Sequence, residues 1–330
     1  MNVVSSITLA IKQFLSGLCS VLPFSVGELL VILAIAAVIY FIIFSAVKIV
    51  KAEHKRHMLH RCFTLALSMV LTVYFLLCIF LNASYYADSF KEKSGIAISP
   101  SSVDELYDTM KFFVAKVNEA SSTVPRDEAG LYNTAPKDII KQSVGIYDGA
   151  EAVFPFLKMK DRQPKPVLFS RLMSRFNYTG FYFPFTGEAN INIDITPCMI
   201  PATIAHEMAH QRGIAAEEEA NFVAVLACAE SGNAEFKYSG WLLAYIHLGN
   251  ALYKYDKDRY FELAALLSEE ARLDLKANNE YWAKYDAKEA KVLEKVYDSF
   301  LKGNGQELGV QSYGAVVDLL IAWYKTGGFD

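Results

Sequence analysis

The sequence predicts a mostly helical α+β protein: a two-helix transmembrane hairpin near the N-terminus, then a larger domain with a small β-sheet. Three observations predict it. Two uncharged apolar runs, Leu29 to Val47 and Cys62 to Leu81, are each long enough to cross a bilayer. The segment Asn190-Ile191-Asn192-Ile193-Asp194-Ile195 alternates polar and apolar residues at period two, the pattern of a half-buried strand. Much of the chain after residue 100 reads as helical, the first of these helices opened by the capping residues Ser101 and Ser102.

Composition agrees with a split chain. Hydrophobic residues make up 53% of the 330, and the excess lies before residue 84, where the two runs are. The net charge of −4 leaves no global basic field, so no nucleic-acid partner is expected. The cysteines are Cys19, Cys62, Cys78, Cys198 and Cys228. No two form a C-x-x-C pair, which argues against a cysteine zinc site. Cys198 and Cys228 flank the central motif and are open to two readings, a disulfide or two buried thiols.

Residues 1–23 are moderately apolar with Lys12 as the only charge, and read as a helix lying in the membrane interface that Pro23 ends. Residues 24–84 form the hairpin. Its connecting loop, 48–61, carries Lys48, Lys51, Lys55, Arg56 and Arg61 against the single acid Glu53. Short basic loops stay cytoplasmic, which puts residues 85–330 outside a multi-pass plasma-membrane protein. Within that domain, Ser101 and Ser102 before Asp104 and Glu105 predict a capped helix to about Ala120. Residues 121–136 read as a loop, and helical patterns follow over about 137–160. Pro166-Val167-Leu168-Phe169 and Gly180-Phe181-Tyr182-Phe183 read as short strands. Beyond residue 230 the chain reads as helical, ending in an apolar helix, Ala315 to Tyr324, too short to span a membrane.

Chemistry concentrates at His206-Glu207-Met208-Ala209-His210. Residues four apart share a helix face, so both imidazoles can reach one metal ion, and Glu207 can serve a metal-activated water as general base. Pro201 suits the first helical turn and Gly213 the C-terminal stop. A second helix is predicted over about Ala215 to Ala229. Its Glu217-x-x-Ala220-Asn221 is close to the E-x-x-A-D pattern of membrane gluzincins, which makes Glu217 the expected third ligand and leaves Glu219 as the alternative. Asn221 shares a face with Glu217 and is expected to hydrogen-bond a ligating histidine. A metzincin site is excluded, because Ala216 stands where its third histidine belongs. The strand just upstream of the metal helix suggests an edge that adds extended peptide to a sheet, with Gly187, Glu188, Ala189 and Asn190 as its substrate-binding part. Tyr313 is the expected oxyanion donor.

Three stretches carry a family resemblance: Tyr182-Phe183-Pro184-Phe185-Thr186-Gly187-Glu188-Ala189-Asn190, His206-Glu207-Met208-Ala209-His210-Gln211-Arg212-Gly213, and Glu217-x-Glu219-Ala220-Asn221-Phe222. Gly309-Val310-x-Ser312-Tyr313-Gly314 and Leu22-Pro23-Phe24-Ser25 join them. Together the chain resembles the bacterial membrane-protein family domain of unknown function 3810. The resemblance implies a zincin-like, membrane-anchored zinc peptidase. The expectation is a zinc-dependent metallopeptidase acting on peptide or protein outside the membrane, with the lipid bilayer as its other partner. The alternative is a sensor or scaffold of the same fold with little turnover. Glu207 favours the enzyme, since a purely structural zinc site needs no base.

Overall fold

The computed structural model describes residues 2–285 and 313–329, with 295 and 299. In chain order its elements are α1 (Asn2–Cys19), α2 (Val26–Lys51), α3 (Lys55–Leu77), α4 (Ala83–Tyr85), α5 (Phe90–Ser94), α6 (Val103–Ser121), α7 (Pro136–Lys141), α8 (Asp148–Val153), β1 (Lys165–Pro166), α9 (Ser170–Arg175), β2 (Gly180–Phe183), β3 (Glu188–Ile191), α10 (Ile200–Gln211), α11 (Glu217–Glu230), α12 (Ala234–Tyr255), α13 (Lys257–Ala265), α14 (Glu269–Ala283) and α15 (Tyr313–Lys325). The protein is mostly helical with one small mixed sheet. A π-helical turn, Cys78–Asn82, joins α3 to α4.

Two helices, α2 and the continuous run Lys55–Tyr85, are long and apolar enough to cross a membrane. Only 6% of the most apolar stretch of the first is buried and 0% of the second, so neither is the core helix of a soluble domain. The core lies further along. Helices α10, α11 and α12 pack side by side, with α6 and α15 over α12. Phe113, Phe222, Leu242 and Leu320 are fully buried there. The apolar face of α15 is thus spent inside the domain.

Helix α1 is inside out. Thr8, Lys12 and Ser16 are buried, while Val3, Ile7, Ile11, Phe14 and Leu18 face outward, Phe14 at 66% exposure. The two rows lie roughly 140° apart at 100° per residue. The buried row packs on the metal-motif helix α10, on α4 and on the π-turn. Gly187 permits the closest approach: at φ +67° it faces the Lys12 carbonyl oxygen, which an added Cβ would meet at 2.2 Å.

The sheet has the order β1-β3-β2, with β1 parallel and β2 antiparallel to β3. Two of its strands differ from the expectation. The alternating segment pairs only as Glu188–Ile191, and every residue of that strand is buried. Asn190 and Asn192 are buried because their amides are satisfied, donating to the carbonyls of Phe181 and Glu188 and to that of Tyr178. The expected strand at 166–169 stops at Pro166. Leu168 and Phe169 turn outward, and their N–H groups donate to the Glu28 carboxylate at 2.9 Å each.

Glu28 belongs to the first turn of α2. The reciprocal contact runs the other way: Glu188 of β3 accepts from the Val26 and Gly27 N–H groups, at 3.2 and 2.8 Å, at the start of α2. Ser25 caps the same helix and donates to Asn190. Each side therefore satisfies backbone donors that the other leaves orphaned.

The capped helix at 102 is found, with Ser102 and Glu105 in a reciprocal capping box. The helical pattern over 137–160 resolves into α7, α8 and a single 3-10 turn at Pro155–Leu157. Cys198 and Cys228 are separate buried thiols.

Candidate active site

Helix α10 begins with Pro201 in its first turn and ends in a glycine cap. Gly213 has φ +84°. The Gly213 N–H donates to the His210 carbonyl at 3.0 Å and the Ile214 N–H to the Ala209 carbonyl at 3.2 Å. This Schellman turn does more than stop the helix. It swings the Ile214 carbonyl back against His210, whose Nδ1 lies 2.7 Å from it. Only three residues then separate Gly213 from Glu217, which opens α11. The short connection brings Glu217 over the histidines. Its carboxylate oxygens lie 3.2 Å from His206 Nε2 and 3.8 Å from His210 Nε2.

Asn221, one turn further, reaches His206 Nδ1 with its Oδ1 at 3.0 Å. Both histidines therefore present Nδ1 to an oxygen acceptor. A neutral imidazole bonded that way carries its proton on Nδ1 and a lone pair on Nε2. The two Nε2 atoms face each other at 3.1 Å, beside a carboxylate. Three acceptors converging on one point repel unless a proton or a metal ion sits among them. Tetrahedral zinc ligands at about 2.1 Å from the metal lie roughly 3.4 Å apart, which these separations approach. His206, His210 and Glu217 thus fit a metal ion by donor set and spacing.

Glu207 is buried behind this triad. Its Oε1 abuts Gly180 of β2, where an added Cβ would meet it at 2.6 Å. Its Oε2 has no protein partner. Burial pushes the Glu207 carboxyl up to about 8 in the metal-free chain, with the nearby His206 pulling down and Glu217 adding to the rise. Burial alone would lower His206, but the hydrogen-bonded Glu217 carboxylate raises it overall. Burial lowers His210.

These residues open into a cleft of about 900 Å³. Its walls include β2 residues Gly180, Phe181 and Tyr182, together with Tyr178, His247, and Lys12 from α1. Sequence reasoning did not place Lys12, Tyr178, Tyr182 or His247 at the site, because they come from three distant segments. The Tyr182 hydroxyl is buried without a protein partner. His247 is held down to about 4 by burial and by His206. Lys12 donates to the Phe80 carbonyl and Ser84 Oγ at 3.2 and 3.3 Å.

The predicted site residues sort clearly. His206, Glu207, His210, Glu217 and Asn221 are brought together as expected. Glu219 is not among them: it turns away and accepts from the Phe90 and Lys91 N–H groups at the start of α5. The substrate strand is corrected. Gly187, Glu188, Ala189 and Asn190 are buried; β3 is paired with β2 throughout and with β1 at Asn190 and Ile191, and its buried start offers no exposed edge. The strand that borders the cleft with an unpaired edge, among the described residues, is β2. The side chain of Tyr313 lies outside the described residues; its backbone opens α15.

Gly180→Ala is expected to displace Glu207 while leaving His206, His210 and Glu217 in place. If those three hold zinc and Glu207 is the base of a hydrolase, zinc content should stay at the parent level while turnover falls at least tenfold, a modest share of what a positioned base supplies. Equal turnover in the two proteins would show that the close approach at Gly180 is unimportant.

A family model described as "Protein of unknown function (DUF3810)" matches residues 5–321. No curated protein and no solved structure matches the chain.

Proposed function

The chain belongs to the DUF3810 family, and we propose that it is a membrane-anchored, zinc-dependent metallopeptidase with a zincin-like catalytic domain outside the membrane. One observation carries the reading. Two imidazole lone pairs and a carboxylate converge beside a buried, unpartnered carboxylate, at the wall of a cleft with a free strand edge.

His206, His210 and Glu217 would hold Zn²⁺, which supplies Lewis acidity toward a peptide carbonyl and toward water. Asn221 and the Ile214 carbonyl fix the histidine tautomers so that both Nε2 lone pairs point inward. Glu207 takes a proton from the attacking water and passes it to the departing amine. The free edge of β2 pairs with an extended substrate backbone. Tyr178, Tyr182 and His247 present donors on the cleft wall for the oxygen that gains charge.

The test is direct. Purified full-length protein should contain about one zinc per chain and cleave members of an unbiased peptide library. A chelator should stop cleavage and added zinc restore it. Zinc binding without any cleavage would favour a sensor or scaffold instead.

The topology follows from loop 48–61. Five basic residues against one acid hold it in the cytoplasm, with the catalytic domain on the opposite side. An impermeant thiol reagent on intact cells should label Ser101→Cys and not Lys55→Cys, in a chain whose own accessible cysteines are replaced. The reverse pattern would invert the topology.

A further inference from the structure

We propose that the substrates are peptide segments tethered to the bilayer and cut within a few residues of where they leave it. This rests on the peptidase reading. The cleft that holds His206, Glu207 and His210 is also walled by Leu81, Ser84 and Tyr85. Leu81 is the last residue of the second apolar run, so the end of a membrane span is itself part of the cleft wall. Three contacts link that span to the metal site. Lys12 Nζ bonds the Phe80 carbonyl at 3.2 Å. The same ammonium lies 5.7 Å from the Tyr182 ring centre. That ring lies 6.3 Å from the His210 ring. The whole path is on the order of 15 Å, about four or five residues of extended chain at 3.3 Å each.

The surface around the hairpin base fits a bilayer. The outward row of α1 is apolar and uncharged, and its single cation, Lys12, is turned inward. Leu168, Phe169 and Leu172 are exposed at 81%, 50% and 49%, on the segment that Glu28 fastens to the start of α2. Each patch lies beside a span: α1 packs on the π-turn at the end of the second, and Leu168 and Phe169 are fastened to the start of the first. Lipid is the occupant that covers all three without a break. With α1 in the interface, the cleft that its buried row walls sits at the membrane surface. A soluble peptide must find that opening from bulk water, whereas a tethered one is held at high local concentration beside it.

Two measurements test this on the full chain in phosphatidylcholine vesicles, with Cys19, Cys62 and Cys78 replaced by serine. In the first, a fluorophore is attached at Phe14→Cys, Leu168→Cys or Asp258→Cys, and nitroxide-bearing lipid is added. Strong quenching at the first two positions and none at the third is expected. Absence of quenching at Phe14→Cys and Leu168→Cys overturns the proposal whatever the activity, and is also the result if a second copy of the chain covers α1. In the second, the zinc-loaded protein meets a mixed-sequence peptide library. The library is free, held on a lipid tail by a spacer of about four residues, or held by one of about 25. Cleavage of the short-spacer form at least tenfold above the free form is the expected result. Equal cleavage of free and tethered forms rejects the substrate class but leaves the peptidase reading standing. Cleavage of none of the three ends both.

Discussion

Replacing Glu207 by glutamine is expected to abolish hydrolysis while leaving zinc bound. Glu207 is not among the three converging groups proposed as ligands, and its Oε2 makes no protein contact that the amide would have to reproduce. The substitution is nearly isosteric, so the close packing of the side chain on Gly180 is kept. What is lost is the ability to accept a proton from water. General-base catalysis supplies about 10²–10⁴-fold, and the turnover number should fall by that much or more. Zinc content by mass spectrometry should match the parent. Cleavage at the parent rate would remove Glu207 from the mechanism. Loss of zinc would mean that it is a ligand after all.

The second large effect concerns three adjacent carboxylates. Glu217→Ala should lose most of the zinc affinity, because it removes one of the three proposed ligands. The loss should exceed the 10–100-fold expected of Asn221→Ala, which only frees the His206 ring to turn. Glu218→Ala should keep zinc. Glu219→Ala should also keep zinc but unfold more readily. Its carboxylate holds the Phe90 and Lys91 amides at the start of α5, and removing such a cap costs about 1–2 kcal/mol. The four variants measured side by side separate a ligand from a cap. Full zinc occupancy in Glu217→Ala would overturn the assignment.

The half of this site built from His206, His210, Glu217 and Asn221 is legible in the sequence. Spacing of four puts His206 with His210 and Glu217 with Asn221, and Gly213 marks the turn between their helices. Those are local rules, and local rules survive folding. The other half depends on strand order, which no period reveals. Glu188 reads as an exposed strand residue because it is charged, yet β3 is central. Its carboxylate can be buried because Thr186 donates to it and the start of α2, more than 160 positions earlier, brings two unpaired N–H groups to it. Asn190 and Asn192 mislead in the same way: an amide is polar by composition but can be buried once bonded. Helix α1 shows a different limit. Its amphipathic pattern is visible as spacing, but spacing does not say which face turns inward. Lys12 reaches the cleft by that unreadable choice.

The paired carboxylates at the start of α2 have a mechanical consequence. Glu188 reaches from the domain into the helix, and Glu28 reaches from the helix into the domain. Two such clasps, with Ser25 bonded to Asn190 between them, leave no swivel. A hinge needs a few residues free to change backbone angles, and here the first residues of the helix are all engaged. The first turn of α2 is thereby tied to the sheet. Membrane helices answer a thicker or thinner bilayer by changing tilt. If α2 spans a bilayer as proposed, a change in its tilt is passed through these contacts to the sheet beside the cleft, and lipid thickness becomes an input to the posture of the cleft.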